Sequence, residues 1–267
     1  MAKIGLGVST ASLYKRKYNE DSVKYLSENG VRVCEVFLGT YREYIPEFAE
    51  LLKERKGDME VHSVHTLNTH FEPQLFSANP RALEDAYEIA ENVLRSAKIL
   101  GAKYYTFHGV ARIKKKVSYT DYAAIGKMYS DLCAKCGEYG VELALENVEW
   151  AHYNHPGFYS GIKRFCPALK GTLDIKQARE AGDGYDAFLK EMGSDIVTVH
   201  VSDVDANGKL CLPGNGITDF RELFLKLEGV GFTGAVLIEV YNENYGRDGE
   251  LIASYEYLND IAEKIFK

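Results

Sequence analysis

The sequence predicts a closed (β/α)8 barrel, or TIM barrel, that takes up residues 1–267 as a single domain. Eight short segments rich in Val, Ile and Leu alternate with segments of helical apolar spacing, about one unit per 33 residues. Buried parallel strands covered by helices have this composition. No linker or change in composition divides the chain. No Gly-x-Gly-x-x-Gly follows the first strand, which disfavours the alternative fold, an open doubly wound sheet.

The predicted strands are short, and a turn or loop follows each of them. They span residues 4–8, 31–37, 60–65, 103–108, 141–146, 171–174, 196–200 and 235–239. The predicted helices cover about 20–29, 46–57, 80–100, 120–138, a segment ending near 193, 219–227 and 251–266. The helix at 80–100 has the clearest ends, because Asn79 suits the N-cap, Pro80 the first turn and Gly101 the C-terminal end. A long aromatic loop follows the fifth strand.

Composition and charge narrow the function classes. The hydrophobic fraction of 46% and the charged fraction of 27% are typical of a globular protein. The net charge of −7 argues against a nucleic-acid partner, and the basic run 114–116 is interpreted as a solvated surface. Five scattered cysteines fit a reducing cytoplasm. We expect neither a signal peptide nor a membrane helix, since no apolar run is long enough.

Six of the eight predicted strands end on a residue type that binds metals or transfers protons: His65, His108, Glu146, Asp174, His200 and Glu239. Any one of them alone would be interpreted as a structural residue. Six at equivalent positions indicate a joint function, because the C-terminal ends of barrel strands converge on one mouth. Glu146 ends a strand of Val, Leu and Ala, where burial of an unpaired carboxylate costs several kcal/mol.

Two glutamates, one aspartate and one histidine form a ligand set for a divalent cation. The two glutamates, the aspartate and one of the histidines would supply hard oxygens and one imidazole, which suits one Mn²⁺, Mg²⁺ or Co²⁺ ion, with Zn²⁺ as a further option. Chelation of a substrate hydroxyl and carbonyl would acidify the adjacent C–H bond, so that a nearby carboxylate could remove the proton.

The segments around these residues resemble the xylose isomerase-like TIM-barrel superfamily. The similar phrases are Leu145-Glu146-Asn147, Leu173-Asp174-Ile175, His200-Val-Ser-Asp203 and Ile238-Glu239-Val240. Residues 212–220 are similar to its Gly-x-Gly-x-x-Asp-Phe signature. The resemblance covers essentially the whole chain. The superfamily includes sugar (phosphate) isomerases and epimerases, inosose-processing enzymes and the AP endonuclease branch.

By position, the resemblance implies that Glu146, Asp174, His200 and Glu239 bind the metal. It implies that the two glutamates are also the acid/base pair of an epimerase. It implies that His65 and His108 contact the substrate, or a second metal as in the endonuclease branch. Gln177 stands where epimerases often carry a substrate-binding His, and it can hydrogen-bond a hydroxyl but carries no charge. The Asp-x-His that the endonuclease branch needs is replaced by residues of the 208–210 segment, which cannot bind metal.

Three further residues have two interpretations each. Asp203 could orient His200 or contact substrate, or it could hold a loop or cap a helix. Lys176 could meet an anionic substrate group or lie exposed on the surface. Trp150 could belong, with the aromatic residues at 152, 155 and 158, to a lid over a sugar ring, or these residues could pack on the barrel top.

The sequence therefore predicts a metal-dependent isomerase or epimerase of a small polyhydroxylated carbonyl compound that acts through a cis-enediolate. The expected partner is a small carbohydrate or cyclitol substrate, and a homo-oligomer is an option. A lyase is the nearest alternative, because the same enediolate could expel a β-hydroxyl. A phosphodiesterase acting at abasic sites and a non-catalytic metal-binding subunit are the more distant alternatives.

Overall fold

The computed structural model describes residues 4–67, 70–112 and 121–266. Eight parallel strands close into a barrel, which confirms the predicted (β/α)8 fold. In ring order they are β1 (Gly5–Ser9), β2 (Val33–Leu38), β3 (Glu60–Thr66), β4 (Tyr104–Phe107), β5 (Glu142–Glu146), β6 (Lys170–Asp174), β7 (Ile196–Val201) and β10 (Ala235–Ile238). A two-stranded hairpin of β8 (Asp203–Val204) and β9 (Leu210–Cys211) follows β7. The basic run 114–116 lies outside the described residues.

The helices pack around the barrel. They are α1 (Asn19–Glu28), α2 (Pro46–Arg55), α3 (Pro80–Leu100), α4 (Tyr122–Gly137), α5 (Phe158–Lys163), α6 (Ile175–Glu180), α7 (Tyr185–Met192), α8 (Phe220–Gly229) and α9 (Asp248–Ile265). Two details differ from the sequence prediction. The helix expected after β6 is divided into α6 and α7 near Gly182, whose φ of 93° cannot continue a helix. The aromatic loop contains the short helix α5, which is too brief for a clear periodic pattern.

The ends of α3 form as the sequence predicts. Asn79 accepts a hydrogen bond from the Arg81 amide at 3.1 Å, and Gly101 ends the helix with a left-handed φ of 74°. Between them, buried Val93, Leu94 and Ala97 belong to the apolar core. Among the described residues, no helix is long and apolar enough to cross a membrane.

Strand register places the functional residues at one level. Asp174 of β6 is paired with His200 of β7. The register shifts next to Glu35 in the pairing of β2 with β3, and next to Gly171 in the pairing of β6 with β7. Such bulges re-aim side chains locally. The result is a ring of polar side chains at the C-terminal end of the barrel.

Candidate metal centre and active site

The structure brings all six predicted strand-end residues together. Glu146 and Asp174 are the last residues of their strands, His65 and His200 are penultimate, and two of the six directly follow theirs, His108 after β4 and Glu239 after β10. Five of the six are buried, and the Glu239 side chain is 13% exposed. A carboxylate and imidazole cluster this far from water requires cations or hydrogen bonds for stability.

Glu146, Asp174, His200 and Glu239 form a four-residue group with one ligand atom from each within 4.8 Å of the others. The His200 Nδ1 lies 3.0 Å from Glu146 Oε1 and 3.4 Å from Glu239 Oε2. Among the described residues, the buried Glu239 Oε2 has no hydrogen-bond donor. An orphaned carboxylate oxygen aimed at other potential ligands fits a bound cation, and this oxygen and imidazole set suits Mn²⁺, Mg²⁺, Co²⁺ or Zn²⁺.

A second group of potential ligands comprises His65, His108 and Glu146, with ligand atoms again within 4.8 Å. The two Nε2 atoms lie 2.8 Å apart, and each is 3.7 Å from Glu146 Oε2. The Nδ1 atoms approach other carboxylates, Glu35 at 3.2 Å and Glu72 at 3.1 Å. If each Nδ1–H donates to its carboxylate, both Nε2 atoms carry lone pairs, and a proton or metal ion must relieve their repulsion.

The centre has an excess of negative charge. Five carboxylates, from Glu35, Glu72, Glu146, Asp174 and Glu239, surround three imidazoles and one ammonium. Burial alone would lower the pKa of His200, but the Glu239 and Glu35 carboxylates raise it well above its ordinary value. Burial raises the pKa of Asp174 to about 6, although the neighbouring ammonium opposes this shift. The carboxylates thus favour positive charge at this position.

A cavity of about 370 Å³ opens beside the four-residue group. Trp150, Lys176 and Gln177 line it together with Glu239 and the two histidines of the second group. Trp150 lies over His108 with a ring-centroid distance of 5.3 Å. The Gln177 side chain accepts a hydrogen bond from the Glu149 amide at 2.9 Å, which fixes its orientation. The volume suits a small ligand.

Lys176 is buried, so its alternative interpretation as an exposed surface residue is wrong. Only 3% of the residue is exposed, and its ammonium lies 3.8 Å from Asp174 Oδ2. The ammonium also lies 4.5 Å from the ring centroid of Tyr241, a cation–π distance. The Asp174, Glu239 and Glu146 carboxylates outweigh burial and raise the pKa of this lysine, so it stays charged.

Asp203 holds a loop, which is one of the two interpretations that the sequence leaves open. Its buried carboxylate accepts four backbone N–H bonds at 2.8–3.1 Å, from residues 204, 214, 216 and 218. The next acid in the signature, Asp219, accepts from the Glu222 amide and caps α8. The Gly-x-Gly-x-x-Asp-Phe segment therefore has a structural role: its backbone N–H groups bind Asp203, and its own aspartate caps α8.

The proposed aromatic lid is not a single unit. Trp150 lines the cavity, whereas Phe158 is buried and packs against Tyr153 and Tyr122. His155 is exposed and hydrogen-bonds its neighbour Asn154. Trp150 is therefore the member of this set that lines the cavity.

Sequence reasoning missed Glu35 and Glu72, which lie behind the histidines. Glu35 had a detectable signal, because it is an acid inside the otherwise apolar strand Val33–Leu38. Glu72 had none, since it lies in a polar and aromatic connection whose short 3₁₀ turn, Glu72–Phe76, has no periodic pattern.

Comparison with known proteins agrees with this architecture. Residues 23–261 match the sequence profile of the family described as xylose isomerase-like TIM barrel. The uncharacterized protein ML2432 of Mycobacterium leprae (strain TN) is 25% identical, with 89% of each chain covered.

Solved structures with the same fold include a D-tagatose 3-epimerase-like protein, with a TM-score of 0.79, 19% identity and 98% of each chain covered. The IOLI protein with a bound zinc atom has a TM-score of 0.78 at 18% identity, over 99% of this chain and 100% of that chain. The 3-keto-D-glucoside 4-epimerase YcjR of E. coli has a TM-score of 0.74 at 18% identity, over 97% of this chain and 100% of that chain. At these identities the likeness is one of fold.

Proposed function

The chain belongs to the family of xylose isomerase-like TIM barrels, and we propose that it is a divalent-metal-dependent isomerase or epimerase. The proposed substrate is a small sugar or polyol-derived carbonyl compound, and the reaction passes through a cis-enediolate. The similar structures support the reaction class, because two of them are described as an epimerase or epimerase-like protein and another as binding zinc.

The observation that carries the proposal is the pair Glu146 and Glu239 within one four-ligand group. Their strands, β5 and β10, are separated in the barrel by β6 and β7, so the two carboxylates reach the centre from different sides. One carboxylate can remove the proton from the substrate carbon while the other returns a proton to the opposite face. A divalent ion bound by the group would supply Lewis acidity that polarises the substrate carbonyl.

Other cavity residues would bind and orient the substrate. Trp150 provides an apolar face, and Gln177 and the second-group histidines, His65 and His108, provide hydrogen-bonding groups. The Lys176 ammonium lies where it would stabilise negative charge developing on a substrate oxygen. Because it lies beside Asp174 and Glu239, it also limits the repulsion between carboxylates and an enediolate.

The test is proton exchange with solvent. Purified protein with measured metal content is incubated in D₂O with a panel of ketoses and cyclitols, and deuterium incorporation is followed by NMR. We expect deuterium at one carbon of the correct substrate, and exchange at least about 100-fold slower in Glu146→Gln, because general-base catalysis contributes that much. Full exchange by metal-loaded Glu146→Gln would contradict the assignment, and loss of water from the substrate would identify a lyase instead.

A second candidate function rests on the His65, His108 and Glu146 group. Glu146 belongs to both groups, so the centre could hold two cations that share this carboxylate, an arrangement used for phosphodiester hydrolysis. Two equivalents of tightly bound metal together with nicking of abasic DNA at low salt would favour this function. One equivalent and no nicking would favour the isomerase.

A further inference from the structure

Glu35 lies in the middle of β2, is completely buried and adjoins the metal centre. Its two carboxylate oxygens have five neighbours from four other strands. Oε1 accepts from Ser9 Oγ at 3.1 Å, and Oε2 accepts from Ser63 Oγ at 2.8 Å and Thr106 Oγ1 at 2.7 Å. These hydroxyls fix the orientation of the carboxylate plane.

The remaining two neighbours are the imidazoles of His65 and His200. Together with Glu239, these residues and Glu35 form a further group of potential ligands, with ligand atoms within 4.8 Å of one another. Glu35 Oε1 lies 3.2 Å from His65 Nδ1 and 3.0 Å from His200 Nε2. The His65 contact has hydrogen-bond geometry, whereas the His200 contact has the distance but not the angle. In both rings the nitrogen facing Glu35 is the one farther from Glu146. The opposite nitrogens, His65 Nε2 and His200 Nδ1, lie 3.7 and 3.0 Å from that carboxylate.

Strand pairing explains why Glu35 can reach both rings. It is paired with Ser9 on β1 and with Ser63 on β3, and the β2–β3 register shifts between Cys34 and Glu35. A bulge at this position turns a strand side chain that would otherwise follow regular alternation. The bulge thus supplies a carboxylate at the level just behind the ligands.

We propose that Glu35 is the positioning residue of the metal centre. It holds N–H on His200 Nε2, so that Nδ1 presents its lone pair to a cation in the four-residue group, and N–H on His65 Nδ1, so that Nε2 presents its lone pair to the second group. A histidine that ligates a metal commonly donates its other N–H to a carboxylate, which fixes the tautomer and raises ligand basicity. The proposal rests on the metal site of the proposed function, but not on the identity of the reaction.

The test measures zinc affinity by competition with a chromophoric chelator in the full-length protein and two variants. Glu35→Gln keeps the size of the side chain and removes its charge, whereas Glu35→Asp keeps the charge and withdraws it by one methylene. We expect about 10- to 100-fold weaker zinc binding in Glu35→Gln, the usual loss for such a partner. Glu35→Asp should retain part of the zinc affinity that Glu35→Gln loses.

Glu72→Gln is the matched control. Glu72 is equally buried and also accepts from an imidazole N–H, that of His108, which belongs only to the second group. Glu72→Gln removes one carboxylate charge from the same centre, so it measures the effect of charge alone. We expect its loss of affinity for the first equivalent of zinc to stay below about threefold. An equal loss in both variants, or affinity of Glu35→Gln within twofold of the original chain, would overturn the positioning role.

A measurement on the unmodified chain keeps the proposal testable even if the variants do not fold. Long-range ¹H–¹⁵N correlation NMR of the zinc-loaded protein reports which ring nitrogen carries the proton. We expect protonated Nε2 on His200 and protonated Nδ1 on His65, and the opposite tautomer of His200 would overturn the proposal. A chain that binds no divalent ion would contradict this proposal and the proposed function together. The expected tautomers and affinities without deuterium exchange would contradict the proposed function alone.

Discussion

At the scale of single residues, Lys176 has two opposing effects that a pair of measurements can separate. Its ammonium lies near Asp174 and Glu239, so it competes with a cation for those carboxylates while it favours negative charge on a substrate. We predict that Lys176→Met lowers the rate of deuterium exchange about 10- to 100-fold and leaves zinc binding equal or several-fold tighter, because one competing charge is removed.

The matched variant is Lys176→Arg, which keeps the charge but changes its shape and should retain part of the exchange rate. Weaker zinc binding in Lys176→Met, in parallel with lost exchange, would mean that the lysine supports the ligands structurally. It would then have no separate role toward the substrate.

His62 gives the barrel a defined response to acid. It is buried, its Nε2 lies 3.1 Å from Val197 O and 3.0 Å from Thr198 Oγ1, and burial lowers its pKa to about 4. The folded chain therefore binds fewer protons than the unfolded chain between pH 4 and the ordinary histidine value of 6.5. The stability that the chain gains by burying a neutral His62 is therefore complete above pH 6.5. It is lost as the pH falls to about 4.

Over this pH range we expect His62 to lower the free energy of unfolding by about 2–3 kcal/mol. The slope with pH is at most about 1.4 kcal/mol per pH unit, because a single proton is involved. Urea unfolding at several pH values should show a shallower acid slope for His62→Gln than for the original chain. His155→Gln, which changes an exposed histidine, is the control and should leave the slope unchanged. Identical slopes in all three proteins would contradict the prediction.

At the scale of elements, the loop before α8 depends on a close backbone approach at Gly216. A Cβ added there would lie 2.1 Å from the Val204 carbonyl oxygen and 2.5 Å from Asp203 Oδ1. We predict that Gly216→Ala lowers the unfolding free energy by about 1–3 kcal/mol, the usual result of forcing atoms into a packed site. Urea unfolding gives the value.

Gly229→Ala is the matched control, since Gly229 is the last residue of α8 and a Cβ there meets no heavy atom within 4 Å. It should be neutral or slightly stabilising because alanine favours helix more than glycine does. If Gly216→Ala were as stable as Gly229→Ala, the Asp203 loop would have to accommodate a side chain that its present geometry excludes.

The sequence predicts strands and helices well where capping or turn residues and the pattern of apolar residues agree. The strand ending at Glu146 and the capped helix α3 are examples, and both form within one residue of the expected bounds. The six strand-end residues could be grouped because barrel closure brings equivalent positions together. The burial of Lys176 could not be predicted, since it depends on Glu239 and Tyr241, which are remote from it in the sequence.

At the scale of the whole molecule, the barrel gathers acids that only closure makes neighbours. Glu35, Glu72, Glu146, Asp174 and Glu239 come from separate segments, and each is remote from the others in sequence. Glu35 and Glu72 contact His65 and His108, which are 30 and 36 residues away, so sequence spacing does not reveal these pairings. In the unfolded chain these carboxylates are apart and solvated, and folding therefore creates their mutual repulsion.

This difference between the folded and unfolded chains predicts that divalent cations stabilise the fold. A ligand that binds only the folded chain adds RT ln(1 + [L]/Kd), about 2.7 kcal/mol at 100 times Kd. For a chain of 267 residues, that energy raises Tm by roughly 5 °C. Calorimetry with EDTA, Mn²⁺, Co²⁺ and Zn²⁺ should show the increase in Tm and rank the ions.

Asp174→Asn is the variant that locates the bound cation. It removes one ligand charge and should lose most of the increase in Tm. An equal increase in Asp174→Asn would place the stabilising cation elsewhere on the acidic molecule. Loss of the increase in that variant would locate at the barrel mouth both the repulsion created by folding and the cation that relieves it.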